Sequence, residues 1–97
     1  MRFEFDAELW PFDATQRWVF LSLTADDSEY VREMPRERRA GFGSVRVRAT
    51  IGDTVWLTSI FPQAGGGVYI LPIKKAVRSA EGVDVGDVAR VAVEVLD

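Results

Sequence analysis

The residues best suited to binding chemistry form a basic group at the predicted start of a helix. Lys74, Lys75 and Arg78 follow Pro72 closely, and positions 74 and 78 lie one helical turn apart. Two lysines in a first turn oppose the positive end of the helix dipole, at a cost of roughly 0.3–1 kcal/mol each. Exposed helix amides and three cations favour a small anion or an acidic protein segment as the ligand. The alternative to a binding site is that these three cations form a solvated helix face, or that they pair with acidic residues elsewhere in the chain.

A wider ligand-binding site is expected around this basic group. Ser59 is expected to donate a hydrogen bond to the ligand, and Tyr69 or Trp56 to supply an apolar wall. Arg46 and Arg48 alternate with apolar residues and are expected to form the rim.

Aromatic side chains offer either a ligand pocket or a surface on which bases stack. The four considered for this role are Trp10, Trp18, Trp56 and Tyr69. In so small a chain, packing in the core is the competing interpretation.

A second basic region supports a different hypothesis, a barrel that binds nucleic acid. Residues 1–33 carry eight acids and three bases, whereas residues 34–50 carry one acid and five arginines, which we call the arginine ridge. The ridge consists of Arg36, Arg38, Arg39, Arg46 and Arg48. Arginine binds phosphate in a bidentate manner. The net charge of −3 argues against a general nucleic-acid binder, and pairing with the acids of the first strand is the structural alternative.

Three consecutive glycines at 65–67 invite comparison with phosphate-binding loops. Such loops lead directly into a helix, where backbone amides converge on the phosphate. Here the apolar run VYIL follows instead, and no Lys-Ser/Thr pair stands in the required position. The glycines therefore predict a hairpin loop.

The absence of histidine and cysteine limits the chemistry of the chain. It excludes disulfides, thiol nucleophiles, His-ligated metals and a Ser-His-Asp triad. No cofactor motif and no catalytic signature is found. The remaining enzyme hypothesis uses Lys74 or Lys75 as a base or Schiff-base former, which requires a buried lysine with a depressed pKa.

Length and composition predict one small domain in a reducing cytoplasm. The chain has 97 residues, of which 47% are hydrophobic. No run approaches the roughly 18 apolar residues of a membrane helix, and the start of the chain alternates charged with apolar residues, unlike a signal peptide. No membrane contact is expected, and monomer and homodimer remain open alternatives.

Hydrophobic patterning predicts a mostly antiparallel small β-barrel with one or two short helices. Six strands are predicted, over residues 2–9, 17–23, 44–50, 54–61, 68–71 and 88–96. The first ends before Pro11, and the apolar character of the second suggests burial on both faces. The first helix is expected to open with a capping box at Asp26 and Glu29. The second is expected to carry Pro72 at its first position.

With these residues in view, the sequence resembles the bacterial domain-of-unknown-function family DUF1905. The matching motifs are the turn at Gly52, the runs TSIFP and LPIK, Arg78, and the pair Gly86-Asp87. The resemblance covers nearly the whole chain, and the amino-terminal run FEFDAELW is also typical.

The resemblance implies a double-split type of β-barrel, similar in outline to the swapped-hairpin barrels of transition-state regulators and antitoxins. Those barrels bind DNA as intertwined dimers through basic residues, and they use a turn like Gly86-Asp87. Some members of the family are fused to a domain linked with bacteriocin protection, which implies a partner role. The resemblance supplies no activity and no catalytic residue.

Overall fold

The strands form one curled antiparallel sheet. The computed structural model describes residues 1–35, 43–63 and 67–96. Within these ranges seven strands follow one another across the sheet in the order β1-β7-β4-β5-β6-β3-β2. They are β1 (Arg2–Glu8), β2 (Trp10–Pro11), β3 (Val19–Ser22), β4 (Val45–Ile51), β5 (Thr54–Pro62), β6 (Tyr69–Pro72) and β7 (Val88–Val95). Every neighbouring pair is antiparallel.

Two short helices complete the structure. Helix α1 (Ala25–Arg32) follows β3, and α2 (Lys75–Glu81) follows β6. The mostly antiparallel, barrel-like fold with short helices is therefore confirmed. In the described part of the chain, no helix has both the length and the apolar character needed to cross a membrane.

The amino-terminal segment connects the two edges of the sheet. Strand β1 pairs with β7, whereas β2, which begins two residues after β1 ends, pairs with β3. Leu9 lies at the bend, where its N–H donates to the Asp87 carbonyl and its own carbonyl accepts from the Gly86 N–H, both at 2.9 Å. One nearly continuous segment thus serves both edges, which curls the sheet back on itself.

Strand β5 changes partner along its length. Residues Thr54 to Ile60 pair with β4, and only Phe61 and Pro62 pair with β6. Beyond these two pairs β6 continues to Pro72 beside β3 instead. Strands β5 and β6 therefore diverge, and the sheet splits at this point.

The core is built from the inward-facing residues of the strands, which alternate with outward-facing residues along each strand. Val45, Val47 and Ala49 of β4 are buried, while Arg46 and Arg48 between them are exposed, as the sequence pattern predicts. Large side chains that are fully buried include Leu9, Leu21, Val31, Ile60 and Leu71. Burial of each such side chain contributes about 1.5–3 kcal/mol.

The amino-terminal half departs from the sequence prediction in two places. Trp10 and Pro11 form a strand that was not predicted. Pro11 is tolerated because β2 lies at the end of the strand order, where one edge makes no ladder. The predicted burial of β3 on both faces is wrong, because Val19 and Leu21 are buried whereas Phe20 and Ser22 are only half-buried.

Both helix starts also differ from prediction. Thr24, not Asp26, caps α1: its Oγ1 accepts a hydrogen bond from the Asp27 N–H at 3.1 Å. Pro72 ends β6 instead of opening α2, and Lys74 is the N-cap residue, without a side-chain capping bond. Because Pro72 still pairs with β3, the helix begins later than the proline rule suggests.

A buried serine attaches α1 to β6. Ser28 is 1% exposed, and its Oγ accepts a hydrogen bond from the Tyr69 N–H at 3.0 Å. This bond satisfies a backbone amide at the start of β6, where burial would make an unpaired N–H costly.

Replacing this hydroxyl tests its contribution to stability. Ser28→Ala is expected to lower the free energy of unfolding by about 1–3 kcal/mol, because it removes the acceptor of the buried Tyr69 amide. Urea denaturation measures the change. Ser79→Ala, at an exposed position of α2, is the control and is expected to stay within about 0.5 kcal/mol of the parent. Equal effects of the two variants contradict this role for Ser28.

The β4–β5 turn packs against the end of α2. Gly52 has a φ of +57°, and a Cβ at this position would overlap the Glu81 carboxylate. That carboxylate accepts a hydrogen bond from the Thr54 hydroxyl at 2.5 Å. The left-handed backbone and the close approach both favour glycine here.

Two alanine substitutions separate these effects. Gly82 has a similar φ of +65°, but no atom lies within 4 Å of the point where a Cβ would stand. Gly82→Ala should therefore cost only the backbone strain of about 1–2 kcal/mol. Gly52→Ala should cost more in denaturant unfolding, because Glu81 must also leave Thr54. In a Glu81→Ala background the two costs should become equal. An unchanged difference in that background means that the contact with Glu81 is not its cause.

Candidate functional site

A cleft opens where β5 and β6 diverge. Its volume is about 380 Å³, within the range of small-molecule sites and enough for on the order of a dozen water-sized groups. Strand β5, the start of β3 and the junction between β6 and α2 surround it. The lining residues are Arg17, Trp18, Val19, Trp56, Leu57, Thr58, Pro72, Ile73, Lys74 and Lys75.

Backbone hydrogen bonds hold the two sides of the cleft together. The Ile73 N–H donates to the Val19 carbonyl at 2.8 Å, which joins the start of α2 to β3. The Phe12 N–H donates to the Trp18 carbonyl at 2.8 Å on the neighbouring segment. Arg78 Nε donates to the Ile73 carbonyl at 3.1 Å. Ile73 is thus fixed through both its amide and its carbonyl, and the cleft is preformed.

The walls of the cleft are largely apolar. Trp56 is only 7% exposed and, with Val19 and Ile73, belongs to the core beneath the cleft. Trp18 is 63% exposed and stands at the opening with Leu57. Thr58 supplies a hydroxyl. A ligand that enters therefore meets a buried apolar surface below and an exposed aromatic side chain at the edge.

The cleft also concentrates cationic side chains that have no acidic partner. Five arginines of the described chain form ion pairs: Arg2, Arg32, Arg48, Arg78 and Arg90. The four described cations that form none are Arg17, Arg46, Lys74 and Lys75. All but Arg46 line the cleft, and its lining includes no acidic residue among those described. The cleft is therefore an electropositive site in a protein of net charge −3.

The cleft brings together three residues of the predicted site, namely Trp56, Lys74 and Lys75. Arg78 lies beside them, but its guanidinium is occupied by the Ile73 carbonyl and by Asp84, and its side chain is only 12% exposed. It holds the wall of the cleft instead of facing the cleft. Tyr69 is buried in the core and is not among the lining residues.

The remaining predicted residues lie on β4 and β5 but do not line the cleft. Ser59 is in register with Arg46, and neither lines the cleft. Arg48 Nη1 forms an ion pair with Glu94 at 2.5 Å, so its cross-strand partner is an acid of β7 and not, as the alternative to the arginine ridge expected, an acid of the first strand. The neighbouring Thr58 lines the cleft where Ser59 was expected.

Other predicted residues lie apart from the cleft or outside the described residues. Trp10 packs on the sheet surface, where Nε1 donates to Ser22 Oγ at 3.0 Å and the ring lies 5.3 Å from that of Phe20. Arg36, Arg38 and Arg39 of the arginine ridge, and the glycines at 65 and 66, lie outside the described residues.

Sequence reasoning missed Arg17 as a site residue. Arg17 and Trp18 were assigned to a predicted strand, yet β3 begins only at Val19. The one available signal was the pair of a cation and a tryptophan directly before an apolar strand. Their approach to Lys74 depends on the pairing of β3 with β6, which no local pattern reveals.

The lysines do not meet the requirement of the enzyme hypothesis. That hypothesis needs a lysine desolvated by burial. Lys74 and Lys75 are both exposed.

Arg78 and Asp84 form a small network behind the cleft. Asp84 Oδ1 accepts hydrogen bonds from the Val85 N–H at 2.8 Å and from Arg78 Nη1 at 3.2 Å. The Val85 amide first, and the Arg78 guanidinium second, hold the pKa of Asp84 below its ordinary value. A carboxylate with a depressed pKa in the folded protein stabilises it above the unfolded pKa, and this stabilisation is lost as the pH falls through the folded pKa.

Asp84→Asn tests this network through the pH dependence of stability. Above about pH 4, where an unfolded aspartate is ionised, the parent protein should be more stable than the variant. The difference should shrink as the pH falls, because Asp84 in the parent then becomes protonated. Urea midpoints between about pH 2 and 6 measure it. A difference that stays constant over this range contradicts the assignment.

Comparisons with known proteins complete the description of this site. No curated protein matches the chain. The model of a domain of unknown function, DUF1905, matches residues 5–93, and this span includes all ten residues that line the cleft. The chain therefore belongs to the DUF1905 family.

Proposed function

We propose that this protein is a non-catalytic binding module whose cleft takes a small ligand with a carboxylate or phosphate group. One observation carries the proposal: three of the four described cations that lack an ion pair line a single, mostly apolar cleft. The ligand's anionic group faces Arg17, Lys74 and Lys75. Its apolar part covers Trp56.

The charge distribution supports this choice of ligand. The chain has 15 acidic and 12 basic residues, and yet no acid of the described chain lines the cleft. Like charges gathered without counter-charges repel one another, so an anion that enters relieves this repulsion. The adjoining apolar walls offer surface to the apolar part of the ligand, and burial of that part adds to the charge interaction.

The size of the cleft favours a small molecule over an extended partner. A volume of about 380 Å³ lies near the lower end of the range for ligand sites. An acidic segment of another protein would place only one or two side chains in it. The proposal is therefore restricted to small anions with an apolar body.

Neutralising the cleft lysines tests the proposal. Hexanoate and hexyl phosphate serve as probes, with hexanol as the uncharged comparison, and an NMR titration follows the indole resonances. Lys74→Gln and Lys75→Gln are each expected to weaken binding of the anions about 2- to 5-fold. Adding Arg17→Gln should weaken it further. Binding should also weaken with salt, because these cations are open to screening.

Arg46→Gln is the matched control, because it removes an exposed cation without an ion pair that lies outside the cleft. It should leave the affinity for both anions unchanged. The proposal is overturned if Arg46→Gln weakens binding as much as the lysine variants do, or if hexanol binds as well as the anions.

A further inference from the structure

Trp18 is the most exposed of the three tryptophans, and hydrogen bonds hold the backbone that carries it. Its side chain is 63% exposed at the opening of the cleft. Its carbonyl accepts the Phe12 amide, and the next residue's carbonyl accepts the Ile73 amide, both at 2.8 Å. These hydrogen bonds fix the backbone that carries the indole at the cleft, although the ring itself gains little from folding.

Five aromatic rings of the described chain have ring partners. Phe20 lies 5.3 Å from Trp10 and 6.3 Å from Phe12, and Phe3 lies 6.1 Å from Tyr30. Within the described residues five rings have no such contact, and Trp18 is the most exposed of them. The other four are Phe5, Trp56, Phe61 and Tyr69. A rigid indole with only two side-chain torsions offers a large contact area to a ligand at low entropic cost.

The composition of the cleft favours a flat, apolar ligand body. The side chains other than its cations and Thr58 are apolar, so the described lining offers few groups that would hydrogen-bond a sugar or a polar chain. Aromatic rings prefer to stack against other rings beyond what their buried area explains. The cations beside Trp18 then select for a ring that carries negative charge.

We propose that the ligand is a planar aromatic ring system bearing a carboxylate or phosphate, and that its ring stacks on the Trp18 indole. This inference rests on the proposed function, because the same cations bind the anionic group. Arg17 and the lysines hold the charge at one end of the ligand. Trp18 covers the ring from the side that faces solvent, and Trp56 lies beneath it.

The test compares flat and saturated probes with the same charge. Two pairs are used: 2-naphthoate with decahydro-2-naphthoate, and 2-naphthyl phosphate with decahydro-2-naphthyl phosphate. The carboxylate and phosphate arms show which anionic group the cleft prefers. In the parent protein, at least one aromatic probe should bind about 3- to 10-fold more tightly than its saturated counterpart. Calorimetry measures the affinities, and NMR follows the Trp18 indole resonance.

Trp18→Leu should abolish this preference, because leucine keeps an apolar side chain without a π face. Its effect on the saturated probes should be small. Since Trp18 is exposed, the variant should fold, and thermal unfolding verifies this. Phe12→Leu is the control: Phe12 is 67% exposed but does not line the cleft, so the preference should survive.

The outcomes separate the two proposals. If the saturated anions bind as tightly as the aromatic ones, and Lys74→Gln weakens both, the stacking inference is overturned and the proposed function stands. If the preference persists in Trp18→Leu, stacking on this residue is likewise overturned. If none of the four anions binds, both proposals fail.

Discussion

Backbone pairing between β5 and β6 is limited to two residue pairs, and both the position of α2 and the existence of the cleft depend on this short pairing. Phe61 and Pro62 are the last residues of β5 that pair with β6. An uninterrupted ladder would have placed Ser59 opposite Pro72 at the end of β6, and it would have closed the gap that the cleft occupies. The split instead admits α2, whose last residue, Glu81, accepts a hydrogen bond from Thr54 at the far end of β5. The cleft is the part of the split that α2 does not fill.

Core and cleft share residues, which makes the cleft rigid. Val19, Trp56 and Ile73 belong to the hydrophobic core and also line the cleft. The Val19–Ile73 hydrogen bond joins its walls, and Arg78 fixes the Ile73 carbonyl. A change in cleft shape would therefore disturb core packing, where small volume changes are felt. A preformed cleft of this kind spares the ligand the cost of ordering its own site.

The positions of six of the seven described strands were predictable because their signals are local, whereas the composition of the cleft was not. The alternation in β4 and the turn at Gly52 follow directly from residue patterns. Lys74 and Lys75 drew attention because two cations at a helix start oppose the dipole. Arg17 was missed because its proximity to them arises from pairing between β3 and β6, which lie far apart in the chain. Arg78 looked equivalent to the lysines, but in the fold its guanidinium donates to the carbonyl beside the cleft.

Several arginines of the described chain form ion pairs, whereas the two lysines form none and line the cleft, and the chemistry of the two side chains explains this difference. Arg48 and Arg90 join strands that are distant in sequence by pairing with carboxylates, and Arg78 pairs with a carboxylate in the turn that follows α2. A planar guanidinium with several donors suits such fixed, directional contacts. Lysine carries a compact charge on a flexible stem, which adapts to an anion without a fixed geometry. Both lysines of the chain line the cleft. Under the proposed function they supply positive charge that adapts to the anionic group, while the apolar walls and Trp18 select the shape of the ligand.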